Sequence, residues 1–203
     1  MAPEEPGTVR PGGRTARVRA AVLRAAGDVL AERGFAHLDL TEVARRADVG
    51  KTTVYRRWGA VTTLVADMLE DMAEQSVPRT ETGTLRGDLT ANARLVLRTL
   101  TDPRQGPLFK AVIAAGTCDE RTARSLRRFY DVRITEWAPC VRQAVDRGEI
   151  PAGTDTREVI RAVSAPLYHR LLVSGDPLDD AVAVRAADAA VTAARAGVFV
   201  TGR

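Results

Sequence analysis

The run from Gly34 to Leu64, GFAHLDLTEVARRADVGKTTVYRRWGAVTTL, constrains this chain more than any other segment. It reads as two short amphipathic helices joined by a tight turn. Val43, Ala44, Ala47, Val49 and Val54 supply the small apolar core such a unit buries. Asp39 stands as the cap of the first helix, with Glu42 three residues on as its capping-box partner. Asp48 tolerates positive φ in the turn, and Gly50 precedes the second helix. The remaining positions of that second helix are Lys51, Thr52, Thr53, Tyr55, Arg56 and Arg57, with no acidic residue from Gly50 to Trp58. Packing explains the apolar positions but not this composition. Basic, hydroxyl and aromatic groups on one short helix after a turn are the groups needed to grip phosphates and touch base edges.

The charge distribution points the same way. The 203 residues carry a net charge of +4, but eleven Arg/Lys against five Asp/Glu lie between Arg10 and Arg57. Residues 59–203 balance to zero. A basic N-terminal quarter on a neutral body implies a polyanion partner for that quarter alone. With 45% hydrophobic residues the chain can build real cores. No signal-peptide core or membrane-span run is legible, so the expected location is the cytoplasm, with no membrane partner.

Outside this unit the pattern is helical throughout, and the expected class is all-α with about nine helices. Residues 1–13, rich in Pro and Gly, read as a flexible arm. A helix follows from Arg14 to Arg33, ended by Gly34 in the left-handed position. A fourth helix, about Val61 to Gln75, carries Leu64, Val65, Met68, Leu69 and Met72, closing a first domain over residues 14–75. Ser76 to Gly83 reads as a connection, and residues 84–200 as a second domain. There Leu85, Leu89, Ala93, Val96 and Leu100 form one stripe, and Pro107 to Ala115 a shorter helix. Thr117 with Glu120 reads as a capping box opening a long helix to about Arg147. Its inner face is Leu126, Tyr130, Ile134, Trp137, Val141 and Val145, and Pro139 should bend it. Asp155 with Glu158 caps a helix bearing Ile160, Val163, Leu167 and Leu171, and Asp176-Pro177 starts an alanine-rich last one.

The residues now carry a resemblance. Asp39 to Ala44, Ala47 to Tyr55 and Arg56-Arg57-Trp58, together with the Gly34-Phe35 helix end, resemble the DNA-binding domain of the TetR family of bacterial transcriptional regulators. The likeness runs from about Arg14 to Met72. The stretches around Arg147–Pro151, Ala165–Arg170 and Gly175–Leu178 resemble one C-terminal domain type of the same family. The resemblance implies a homodimer that binds a double-stranded operator, and a second domain with a small-molecule effector cavity. Residue by residue it implies DNA contacts by Lys51, Thr52, Thr53 and Tyr55, and phosphate contacts by Thr41 and Arg45. Arg56 and Arg57 join them, and Arg10, Arg14 and Arg17 reach the adjacent groove. Trp58 is expected to pack the domain. The family often has Gly where Asp48 stands and Ser where Gly50 stands; both substitutes suit the backbone. A Lys that often holds a phosphate aligns with Val61, so that contact is missing or supplied by Arg56 or Arg57.

The resemblance also places the final two helices at the dimer interface, with Val163, Leu167, Leu171, Val182, Ala186 and Ala190 as its expected contacts. The same residues suit ordinary packing inside the domain. Phe109, Tyr130, Trp137, Cys140 and Tyr168 are the expected cavity lining, against the alternative of a filled core. Two alternatives to an effector-controlled repressor stand: a DNA-binding protein without an effector, and an enzyme on a helical bundle. The second finds no GxSxG, HExxH or paired-cysteine motif, and the two histidines, His37 and His169, fall in different domains. Gly50-Lys51-Thr52 imitates the end of a phosphate-binding loop, but Arg45 stands where that loop needs Gly. Cys118 and Cys140 read as two buried reduced thiols within helices, with no metal site and no cofactor expected.

Overall fold

The computed structural model describes residues 13–75 and 79–201; Arg10 and nearly all of the expected arm lie outside them. Among the described residues there are nine α-helices: α1 Arg14–Arg33, α2 Leu40–Arg46, α3 Lys51–Trp58, α4 Val61–Glu74, α5 Leu85–Thr101, α6 Gln105–Gly116, α7 Glu120–Asp146, α8 Thr156–His169 and α9 Asp180–Arg195. A 3₁₀ turn, Phe35–His37, follows α1, and a π-helical turn, Arg170–Ser174, extends α8. One isolated antiparallel bridge joins Thr154 to Val200.

Several helix ends differ from the sequence expectation. Asp39 does cap α2, accepting from the Glu42 amide at 3.2 Å. The Glu42 side chain does not reach back to complete a box; it is taken by Arg45 and Arg46. α7 is capped by Asp119, which accepts from the Thr122 amide at 2.7 Å, while the Thr117 hydroxyl donates backward to the Ala114 carbonyl. α9 is capped by Asp179 rather than opened at Asp176-Pro177. Each of the three capping aspartates stands in extended backbone directly before the first helical residue, where its carboxylate reaches the amide three residues on. Gly34 has φ 75° but ψ 175°, an extended region open essentially to glycine alone, because the chain turns at once into Phe35–His37.

Two apolar cores result. The first joins Val22, Leu30, Val43, Val54, Leu64 and Leu69 of α1–α4 to Leu108, Phe109 and Val112 of α6 and Phe129 of α7. The second gathers Leu85, Leu89 and Ala93 of α5, Val141 of α7, Val159, Val163 and Leu167 of α8, and the alanines of α9. The first four helices therefore do not close their own core; α6 and the first half of α7 complete it. Gly27 permits that approach, since a Cβ there would fall 2.7 Å from Arg104 Nη2 and 3.2 Å from Leu108 Cδ1. Arg104 then binds α1 at two points, donating to Asp28 Oδ1 at 2.5 Å and to the Arg24 carbonyl at 3.0 Å.

The second core overturns part of the expected dimer surface. Val163 and Leu167 are wholly buried within one chain, and Val182, Ala186 and Ala190 are no more than 5% exposed. Leu171 is half-buried. Small alanine side chains let α9 sit close against α5 and α8, so the ridge meets its own chain before it could meet another. Cys118 is corrected too: it lies exposed in the turn after α6, and only Cys140 is buried.

Candidate nucleic-acid interface and cavity

The α2–turn–α3 unit is held by short-range bonds that its sequence supplies. The Val49 amide donates to the Ala44 carbonyl at 3.0 Å, closing the turn, and Asp48 adopts φ 53° within it. α3 buries Val54 and Trp58, which fixes its roll. Lys51, Thr52, Tyr55, Arg56 and Arg57 are thereby exposed, and Thr53 is half-buried. Tyr55, 46% exposed, brings its hydroxyl to 3.3 Å from Thr41 Oγ1 and so joins the outer faces of α2 and α3. Arg14 and Arg17 stand exposed on the first turn of α1. The Arg57 guanidinium lies 5.1 Å from the Trp58 ring centroid, a cation–π contact that limits its freedom.

Arg45 is exposed, yet its Nε and Nη2 both donate to Glu42 at 2.9 Å. Arg46 joins at 2.8 Å, and Arg33 stands 3.8 Å away. Hydrogen bonds from Arg45 and then Arg46 hold the Glu42 carboxyl down to about 2. One carboxylate thus gathers three arginines and leaves the patch net positive, and a phosphate at Arg45 competes with Glu42 for the same donors. Val61, at the usual lysine position, opens α4 as a half-buried residue of the first core.

Asp67 on α4 carries no signal in the sequence that marks it as part of the site. Its carboxylate accepts from Trp58 Nε1 at 2.8 Å and from Arg19 Nη2 at 2.6 Å. Arg19 also binds Asp71 at 2.5 Å. One aspartate therefore ties the last turn of α3 to α1 and α4. No local pattern reveals this, because Arg19, Trp58 and Asp67 meet only when three helices pack.

Between the two cores lies a cavity of about 1130 Å³, walled by residues of α1, α4, α5, α6, α7 and α8. Phe109, Tyr130, Trp137 and Tyr168 stand in its wall, joined by Phe129 and Asn92. Rings follow one another through it: Phe109 to Phe129 at 5.5 Å, Phe129 to Tyr130 at 5.3 Å, and Tyr130 to Tyr168 at 5.5 Å, the last two edge-on. Cys140 does not line it. That side chain points into the second core, where burial, reinforced by Asp88, pushes the thiol up to about 12.

A turn-linked helix pair with an exposed basic face, on a larger helical domain, defines a helix-turn-helix DNA-binding protein. Residues 22–68 match the family described as bacterial regulatory proteins, tetR family, and residues 79–190 match the tetracyclin repressor-like C-terminal domain. The chain belongs to the TetR family of bacterial transcriptional regulators. It is 32% identical over 161 residues to the HTH-type transcriptional regulator YdeS of Bacillus subtilis, covering 79% of this chain and 81% of that one. It is 33% identical over 171 residues to the DNA-binding transcriptional repressor TetR of Mycobacteroides abscessus, covering 83% and 89%. Among solved structures, the TetR family transcription regulator SCO0332 superposes with a TM-score of 0.68 at 29% identity, over 87% of this chain and 97% of that one. Salmonella enterica GusR shares the fold, with a TM-score of 0.71 at 23% identity over 92% and 97%. Among the described residues no helix is long and apolar enough to cross a membrane.

Proposed function

We propose that this regulator is a homodimeric repressor that acts in the cytoplasm on a pseudo-palindromic operator, released by a small apolar or amphipathic effector held in the cavity. The observation that carries the reading is the position of the cavity. Its wall includes Leu23 and Gly27 of α1 and Met68 and Met72 of α4, all from the DNA-reading half, opposite Trp137 and Tyr168 of the other half. A molecule that fills it touches both halves and can favour one arrangement of them over another. It shifts the balance only by its differential affinity for the two forms. Lys51, Thr52, Thr53 and Tyr55 read the major groove, with Thr41, Arg45, Arg56 and Arg57 on the backbone and Arg14 reaching the adjacent groove. Two-fold symmetry then sets half-site centres about 34–36 Å apart, or a multiple of that.

The cavity weighs against an effector-independent protein, whose second domain would be filled. The ionisable groups around it weigh against an enzyme: Asp71 is paired with Arg19, Arg104 with Asp28, Arg133 with Glu136 and Arg161 with Glu158, and Asp102 accepts from two backbone amides. The proposed dimer uses the outward faces of α8 and α9. Ala165, Pro166 and His169 are exposed on one, and Ala181, Arg185, Ala189, Thr192 and Ala196 follow at helical spacing on the other. Ala189→Arg is expected to yield monomers by sedimentation with the helical content unchanged; a dimeric variant rejects this face.

The direct test is fluorescence anisotropy on DNA flanking the gene, with scrambled DNA as control and a salt titration. Saturable binding that prefers the flanking DNA supports an operator nearby. Equal binding to both calls for genome-wide site selection, and no binding at low salt defeats the proposal.

A further inference from the structure

We propose that the cavity selects a neutral, planar aromatic effector bearing an amide-like or hydroxyl group, whose polar edge meets Asn92 and the Tyr130 hydroxyl while its ring lies among Phe109, Phe129, Trp137 and Tyr168. The inference rests on the effector reading above and specifies the chemistry of that same cavity.

Asn92 is the first observation. It sits on α5 at 4% exposure, lines the cavity, and its Oδ1 accepts no hydrogen bond. A buried amide oxygen without a partner is a standing cost, removed when something supplies one. Turning the amide over presents donors in place of the acceptor, so the partner needs hydrogen-bonding groups rather than a charge. The Tyr130 hydroxyl is the second. It is buried on the same wall, turned toward the Tyr168 hydroxyl without closing a full hydrogen bond to it. Burial raises both phenols, so they stand as neutral hydroxyls.

The body of the ligand follows from the rings. Aromatic edges and faces in sequence accept another flat ring at normal offset or edge-on distances with little rearrangement. Neutrality follows from the surroundings. Asp71, Arg104, Arg133 and Arg161 are engaged by Arg19, Asp28, Glu136 and Glu158, Arg133 also donating to the Met72 carbonyl at 2.6 Å beside the Phe129 ring. Asp102 accepts from the Arg104 and Gln105 amides, and Arg24 and Arg98 are exposed, where solvent screens them. An ion moved to the floor would lose its hydration and meet only counter-charges that already have partners.

The experiment titrates the full-length protein calorimetrically with three probes of one ring system: naphthalene, 2-naphthamide and 2-naphthoate. The amide is expected to bind about tenfold or more tightly than either other probe, the return of one to two hydrogen bonds. Asn92→Leu is expected to abolish that preference while keeping naphthalene binding, and Tyr130→Phe, which keeps the ring, to reduce it. Retained naphthalene binding shows that each variant still folds. Equal affinity for all three probes, a stronger carboxylate, or a preference that survives Asn92→Leu overturns the proposal and leaves the effector reading standing. If none of the three enters the wild-type protein, the proposal fails and the effector reading is weakened with it.

Discussion

Asp67→Ala is expected to lower the melting temperature and weaken operator binding together. The substitution removes the acceptor shared by Trp58 Nε1 and Arg19, and leaves Arg19 with Asp71 and a long bond to the main-chain carbonyl of residue 67. Charge-assisted bonds of this kind, partly open to solvent, are together worth about 2–3 kcal/mol, and each kcal/mol moves a domain of this size by about 2–4 °C. A fall of about 4–12 °C follows. DNA affinity falls as well, because Trp58 ends the helix that carries Lys51 and Tyr55, and its roll is no longer fixed.

The effect has a pH signature. Burial alone would raise the Asp67 carboxyl, but hydrogen bonds from Arg19 and Trp58 outweigh it and hold the group below its usual range. Its contribution is complete above the unfolded value of about 4 and is lost as pH falls through the lower native value. Melting curves of wild type and variant should therefore stand apart at neutral pH and draw together on acidification. A gap of the same size at pH 7 and pH 3, or none at pH 7, removes Asp67 from this role.

Lys51→Ala should produce the largest loss of operator affinity of any single exposed substitution. Lys51 is exposed on the first turn of α3, directly after Gly50, and its side chain bonds to no other side chain among the described residues. A lysine bound to a guanine edge is worth about 1–3 kcal/mol, and the proposed dimer presents it twice. The combined loss is about 2–6 kcal/mol, at least about thirtyfold in affinity. The circular dichroism, melting temperature and sedimentation of the variant should match wild type. A change smaller than threefold in anisotropy titrations, or a protein that loses helix, would place Lys51 elsewhere than on the DNA surface.

The sequence by itself determined what depends on near neighbours. The helices α1–α4, the cap at Asp39, the positive φ of Asp48 and the exposed set from Lys51 to Arg57 all follow from contacts within a few residues. Apolar periodicity marked the buried sides of α5 and α8 equally well. Periodicity says that a face is covered, however, and not by what. Only packing decided that Val163, Leu167, Ala186 and Ala190 face their own chain. It also turned Cys140 into the second core while Tyr130 and Trp137 faced the cavity. Packing brought Arg19, Trp58 and Asp67 together from three helices, and left the side-chain oxygen of Asn92, a polar residue beside an apolar stripe, without a hydrogen bond at the cavity wall. These features depend on which helix lies against which, a choice made by shape and volume across the whole chain rather than by any local run of residues.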